Sequence, residues 1–275
     1  MKGKTIVITG ASSGIGEVAA MRLAEQGARV VMVARDRARG EATLAKLKGA
    51  GHAVHYADLS RLSEMRRVAR ELGEAERTID VLINNAGALF NSRIVTEDGL
   101  EKTFALNHMS YFVLTNLLLD RLKATPGARI VSTSSDAHRR AKLDFSDLQA
   151  AKSYSGFPVY SRSKLCNILF TRELARRITG TGVTATCLHP GFVATRFADE
   201  SGGLVAVGAK VAKKFGAISP EEGARTIVYL ASSPAVAGAS GGYYYKEKLT
   251  TPTAEAQNDA DAKRLWDVSA KIAGL

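Results

Sequence analysis

Tyr160 and Lys164, in the run Tyr160-Ser161-Arg162-Ser163-Lys164, are the residues whose types and spacing speak most directly of chemistry. In a helix four positions make about one turn, so the ammonium lies beside the phenol on one face. A neighbouring positive charge favours phenolate and pulls tyrosine's pKa down from about 10 towards the range of an acid–base catalyst. Chance places many such pairs in helices, so the company they keep decides. The turn Thr9-Gly10-Ala11-Ser12-Ser13-Gly14-Ile15-Gly16 opens the chain, and Ser134-Ser135 closes an apolar run upstream of the tyrosine. A nucleotide cradle, a hydroxyl donor and a tuned phenol together describe carbonyl/alcohol redox chemistry.

Something must hold these groups together. Short β-branched runs alternate with amphipathic stretches, which predicts an α/β fold: a single doubly wound, Rossmann-type domain with a mainly parallel sheet. Strands are expected over 5–9, 29–34, 53–57, 81–84, 129–133, 183–188 and 242–246, about seven in all. Their near-continuous apolar character fits burial on both faces. Helices are expected over 15–26, 37–49, 62–73, 100–124, 158–179 and 221–232, with a C-terminal helix at about 254–271. Two segments break the alternation. Residues 136–157 form a long polar connection between the serine and the tyrosine. Residues 197–215 place Leu204, Val207, Val211 and Phe215 on one helical face and are expected to form a substrate flap.

Composition narrows the classes. The chain has 275 residues, 45% hydrophobic and 24% charged, as in ordinary soluble proteins. No apolar run is long enough for a membrane span. The first strand begins at Thr5, which leaves no room for a signal peptide, and only Cys166 and Cys187 are present. Neither belongs to a disulfide framework or a metal site, so a cytoplasmic location and no metal are expected. The net charge of +11 is spread along the chain, its densest groups being the pairs Arg139-Arg140 and Lys213-Lys214. That pattern describes a solvated basic surface; no nucleic-acid partner is expected.

The glycines at 10, 14 and 16 stand at a strand-to-helix turn, where glycine permits close approach of a pyrophosphate and the helix N-terminus supplies N–H donors. Their spacing is Gly-x3-Gly-x-Gly. After the second strand the chain reads Val33-Ala34-Arg35-Asp36-Arg37. An NAD site wants a carboxylate where Ala34 stands, whereas Arg35 can take a 2′-phosphate and stack on adenine. NADP(H) is therefore expected in preference to NAD. The bland role for Arg35 is a helix-start surface charge, with Asp36 as N-cap. Asp58 is placed to receive an adenine amino group or to cap the next helix.

These residues together resemble the short-chain dehydrogenase/reductase family over essentially the whole chain. The matching pieces are 9–16, Asp58, Asn84-Asn85-Ala86-Gly87, Asn107, Ser135, Tyr160-x3-Lys164 and Pro190-Gly191 with Thr195. Leu106-Asn107-His108, Ser134-Ser135-Asp136-Ala137-His138, Ser163-Lys164-Leu165-Cys166-Asn167 and the late Arg264-Leu265-Trp266 look like its retinol dehydrogenase-like branch. The resemblance implies a tetrad. Tyr160 exchanges the proton with the substrate oxygen, and Ser135, rather than Ser134, orients that oxygen. Lys164 lowers the tyrosine pKa and holds the nicotinamide ribose, while Asn107 helps anchor a proton-relaying water chain. It implies cofactor contacts from Gly10, Ser12, Ser13, Gly14, Ile15, Gly16, Arg35, Asp58 and Leu59, and from Asn85, Ala86, Gly87, Tyr160, Lys164, Pro190, Gly191 and Val193. Thr195 would meet the carboxamide. His138 matches the branch as a hydrogen-bonded structural histidine.

The expected activity is NADP(H)-dependent interconversion of a carbonyl and its alcohol. Phe192, Val193, Phe197, Leu204 and Phe215 point to a lipophilic small-molecule substrate. Reduction of a carbon–carbon double bond and non-catalytic NADP(H) sensing are the alternatives. A homodimer pairing 100–124 and 158–179 is possible, since Phe112, Leu117, Leu118, Leu165, Leu169 and Phe170 supply apolar surface; burial within one chain explains them equally well.

Overall fold

Alternate residues of the first strand, β1 (Thr5–Thr9), point to opposite sides of the sheet: Ile6 and Ile8 enter one core and Val7 the other. The same division runs through β2 (Arg29–Ala34), β3 (Ala53–Tyr56), β4 (Val81–Asn84), β5 (Arg129–Thr133) and β6 (Thr184–His189). Burial on both faces explains why β1, β2 and β4 read as near-continuous apolar runs, while β3 at the sheet edge is only partly buried. The computed structural model describes residues 1–193 and 218–275. The flap expected at 197–215 and Thr195 lie outside the described residues.

On one face lie α1 (Gly14–Glu25) and α8 (Pro220–Ser232), which bury Leu23, Ala224 and Ile227 against Ile6, Ile8 and Met32. The other face carries α3 (Leu62–Ala75), α5 (Ser110–Leu117) and α7 (Gly156–Arg177), with Met65, Phe112 and Leu169 packed over Val7, Val31 and Leu82. The shorter α2 (Arg37–Leu44) follows β2, with Asp36 accepting from the Arg39 N–H as its N-cap. The expected Asp36 cap is therefore present.

Among the described residues the sheet has eight strands, not seven, in the order β3-β2-β1-β4-β5-β6-β7-β8, where β7 is Tyr243–Tyr245 and β8 Lys248–Leu249. All neighbours are parallel except β7 with β8. β8 is only two residues long, and Lys246 and Glu247 turn into it with φ of 49° and 64°. Two positive φ values make the tight hairpin turn usually signalled by Asn-Gly. Here Glu247 is held by its N–H on Thr226 Oγ1 and its carboxylate on Arg225.

The single helix expected over 100–124 is instead α4 (Lys102–Phe104), a π-helical turn (Ala105–Met109), α5 and α6 (Leu119–Lys123). The C-terminal helix, α9, spans Asp259–Ala273 because Asn258 accepts from the N–H groups of Ala260 and Asp261; residues 255–257 form a separate 3-10 turn. It lies across α7. Trp266 packs edge-on to Phe112 at 4.9 Å and stacks on Phe170 at 5.8 Å, while Asp259 pairs with Arg172 and Arg176. Phe112, Leu118, Leu165, Leu169 and Phe170 are thus buried within the chain; of that group Leu117 alone is exposed.

Candidate active site

Strand order reverses between β1 and β4, and ligands of doubly wound sheets sit at the carboxyl ends of the strands flanking such a point. A cleft of about 660 Å³ lies there. Its walls bring together Gly10, Ser12, Ser13, Gly14 and Ile15 after β1, Arg35 after β2, Asp58 and Leu59 after β3, and Asn85, Ala86 and Gly87 after β4. Ser135 after β5, Tyr160 and Lys164 from α7, and Pro190, Gly191 and Val193 after β6 complete it. Gly16 and Asn107 are not in the wall; they stand behind it.

The β1–α1 turn is set by contact. Gly10 adopts φ +67°, and a Cβ there would lie 2.8 Å from Ala86 Cα. Gly16 is tighter still, since its Cβ would be 2.3 Å from the Gly10 carbonyl and 2.5 Å from Asn85 Nδ2. Thr9 Oγ1 accepts from the N–H groups of Asn85 and Ala86 at 2.9 and 3.0 Å, stapling the ends of β1 and β4. Asn85 donates to the Thr9 carbonyl and accepts from Thr133 Oγ1, so its amide ties three strand ends together within the cleft wall. Ser13, the N-cap of α1, makes no side-chain cap, which leaves first-turn N–H groups facing the cleft. With Arg35 and Lys164 in the same wall, the donors present fit an anionic dinucleotide. Among the described residues no group of His, Cys, Asp or Glu could hold a metal ion.

Asp58 lies in the wall, but its Oδ1 accepts from both the N–H and hydroxyl of Ser60. It therefore braces its own turn whatever else it meets.

The two adjacent serines separate cleanly. Ser134 is buried and donates to the Lys164 carbonyl at 2.7 Å, so its hydroxyl serves α7. Ser135 Oγ accepts from the Ala137 N–H at 3.2 Å, and its hydroxyl shares the cleft wall with the phenol of Tyr160. The Asn107 amide grips the loop after β4, accepting from Ala88 N–H and donating to Ala88 O, each at 2.9 Å, and donating to Ser163 Oγ at 3.0 Å. The π-helical turn presents it there.

The simple picture of a phenol tuned by its lysine needs correction. Lys164 Nζ donates to the Thr133 carbonyl at 3.1 Å and lies 5.6 Å from the centre of the Tyr160 ring. Both side chains are buried. Burial pushes Tyr160 up to about 12, with only the Ser135 hydrogen bond pulling it down. Burial likewise draws Lys164 down to about 7. A poorly polarisable interior disfavours both charged forms, and this outweighs their mutual attraction at such a distance. Phenolate and ammonium are thus both disfavoured by burial in this site.

Phe192, expected at the substrate side, lines the wall, and so do residues that no motif singled out. Phe157 and Phe192 are large apolar side chains 47% and 60% exposed on the cleft, and Phe157 lies 6.5 Å from the Tyr160 ring. Arg39, His189 and Arg140 also line it. Phe157 precedes Tyr160 by three positions, which was the one available signal.

This fold, with its glycine turn and Ser–Tyr–Lys cluster, places the chain in the short-chain dehydrogenase/reductase family, whose profile, described as short chain dehydrogenase, matches residues 4–203. Within that family it is retinol dehydrogenase-like. Human Retinol dehydrogenase 14 is 42% identical over 100% of this chain and 88% of its own length. A crystal structure of a putative uncharacterized protein from Mycobacterium paratuberculosis superposes with a TM-score of 0.81 at 34% identity, covering 99% of this chain and 94% of that one. The Pseudomonas aeruginosa RhlG/NADP active-site complex aligns with a TM-score of 0.70 at 28% identity, over 88% of this chain and 94% of its own. Among the described residues no helix is long and apolar enough to cross a membrane.

Proposed function

We propose that this protein interconverts a lipophilic aldehyde or ketone and its alcohol, using NADP(H). The observation that carries the reading is the gathering of Ser135, Tyr160 and Lys164 in one cleft wall with the β1–α1 glycine turn. The dinucleotide supplies or accepts the hydride. Gly10, Ser12, Ser13, Gly14 and Ile15 hold its pyrophosphate, and Lys164 meets the nicotinamide ribose. In the reducing direction Ser135 donates to the carbonyl oxygen, and Tyr160 gives that oxygen its proton as charge develops there. The ammonium of Lys164 then steadies the phenolate until it is reprotonated. Gly16 and Asn107 act from behind the wall, holding the turn and the 85–88 loop in place. Thr195 is proposed at the carboxamide.

The preference for NADP(H) rests on Arg35 in the wall, Ala34 where a ribose-binding carboxylate would stand, and Asp36 turned onto Arg39. The NADP complex of the Pseudomonas relative supports it. Phe157 and Phe192, and the substrate named in Retinol dehydrogenase 14, support a lipophilic substrate. Two buried free cysteines fit a reducing, cytoplasmic setting. The test is a panel of hydrophobic aldehydes and small polar ketones with NADPH and NADH. NADPH and hydrophobic aldehydes should be favoured, and Arg35→Ala should raise the NADPH KM about 10- to 100-fold while sparing NADH. Equal use of both cofactors by the natural chain, or a preference for polar ketones, contradicts the reading.

A further inference from the structure

Ser135 begins a single 3-10 turn (Asp136–Arg140), and that turn is closed by one buried side chain, His138. His138 Nδ1 is 2.7 Å from the Ser135 carbonyl oxygen, which also accepts the His138 main-chain N–H at 3.2 Å. A carbonyl oxygen can only accept, so the ring proton sits on Nδ1. Nε2 is then the acceptor, and it faces the Thr253 N–H at 3.5 Å. The ring of Tyr243 stands edge-on to the imidazole, 5.1 Å away. Burial holds His138 below the ordinary imidazole range, so the neutral ring persists between Asp136 and Arg139, which pair with each other.

The opposite side of Ser135 is fixed as well. Its Oγ accepts the Ala137 N–H, so one lone pair is occupied and the hydroxyl proton is left for the phenol side. Ser135 is therefore gripped at its carbonyl and at its hydroxyl by the turn that His138 closes.

We propose that His138 is a positioning residue: its Nδ1–H bond to the Ser135 carbonyl aims the Ser135 hydroxyl at Tyr160 and ties that aim to the C-terminal segment at Thr253. The kinetic consequence rests on the hydride-transfer reading given above. A hydroxyl that swings off line loses transition-state stabilisation while the dinucleotide, held mainly by other elements, binds as before.

The conservative variants distinguish aim from bulk. Asparagine puts an amide N–H near the place of Nδ1, glutamine puts one near Nε2, and phenylalanine keeps the ring without a donor. With the full chain, NADPH and decanal as probe, His138→Gln and His138→Phe should lower kcat about 10- to 100-fold, with the NADPH dissociation constant within about threefold. His138→Asn should stay within about threefold of the natural chain by the same argument. Should His138→Phe fail to fold, the Asn/Gln pair still decides. Equal activity in all variants, or Asn as impaired as Gln, overturns the proposal. Nitrogen-15 shifts of the imidazole give a second readout that needs no turnover: a neutral ring protonated on Nδ1, its signal lost in His138→Asn. A ring protonated on Nε2 overturns the anchor. The expected tautomer in a chain that reduces no carbonyl upholds the anchor and sinks the hydride-transfer reading instead.

Discussion

The ammonium of Lys164 donates to the main-chain carbonyl of Thr133 across 3.1 Å, joining the middle of α7 to the last residue of β5. Asn167, one turn further along α7, donates to the same oxygen at 3.3 Å. The lysine is thus built into the interior as well as into the cleft. Two consequences follow, one for stability and one for what could be read from sequence.

Burial holds Lys164 at about 7, against 10.5 for an exposed lysine. Between those values the unfolded chain binds more protons than the folded one, so this group's contribution to stability rises as pH rises through the window. Below it the cost of burying the ammonium is fully present. Lys164→Met removes the term. The urea midpoint of the natural chain relative to Lys164→Met should therefore climb between about pH 7 and about pH 9. A difference that stays flat across that range contradicts the burial assigned to this side chain.

Gly16 offers a test on the cofactor side. Its missing Cβ would lie 2.3 Å from a backbone oxygen that cannot swing away. Gly16→Ala should cost about 1–3 kcal/mol of stability, as overpacking does. It should also displace the turn and weaken NADPH binding at least about tenfold, since a shift of that size separates donors from a phosphate. Calorimetry and a fluorescence titration of NADPH measure the two effects. An alanine variant as stable and as tight-binding as the natural chain rules out the close packing.

Much of this was legible in the sequence, for a definite reason. Strands buried on both faces must be apolar throughout, and each ends where its ligand-facing residue begins, as at Thr9-Gly10 and Thr133 to Ser135. Motif residues could therefore be placed by counting from strand ends. What escaped depended on contacts distant in sequence. Lys246 and Glu247 turn the chain into β8 without any glycine, supported by Thr226 and Arg225 of α8. The π-helical turn at 105–109 sits inside an apolar pattern that ordinary helix periodicity describes equally well. It is stabilised by Asn107 on Ala88 and by His108 Nε2 on Ser269 Oγ at 2.8 Å. Nor could spacing alone predict that Lys164 would turn to Thr133, because the one-turn offset from Tyr160 fixes a face and not a distance.

The apolar face of α5 and α7 shows the same limit. Apolar residues on α5 and α7 mark a face that must be covered, and periodicity cannot say by what. Within the chain, part of that face is covered by Trp266 and Leu265 of α9, more than 80 positions beyond the residues they pack on.

The proton at the centre of the account belongs to Tyr160, and its removal is the most direct trial. Single-turnover reduction of a hydrophobic aldehyde by NADPH should slow about 100- to 10,000-fold in Tyr160→Phe, the range expected for losing a positioned general acid. NADPH should bind that variant about as tightly as the natural chain. Full reduction rates in Tyr160→Phe would show that the proton reaches the substrate oxygen from elsewhere, and would contradict the role given to this phenol.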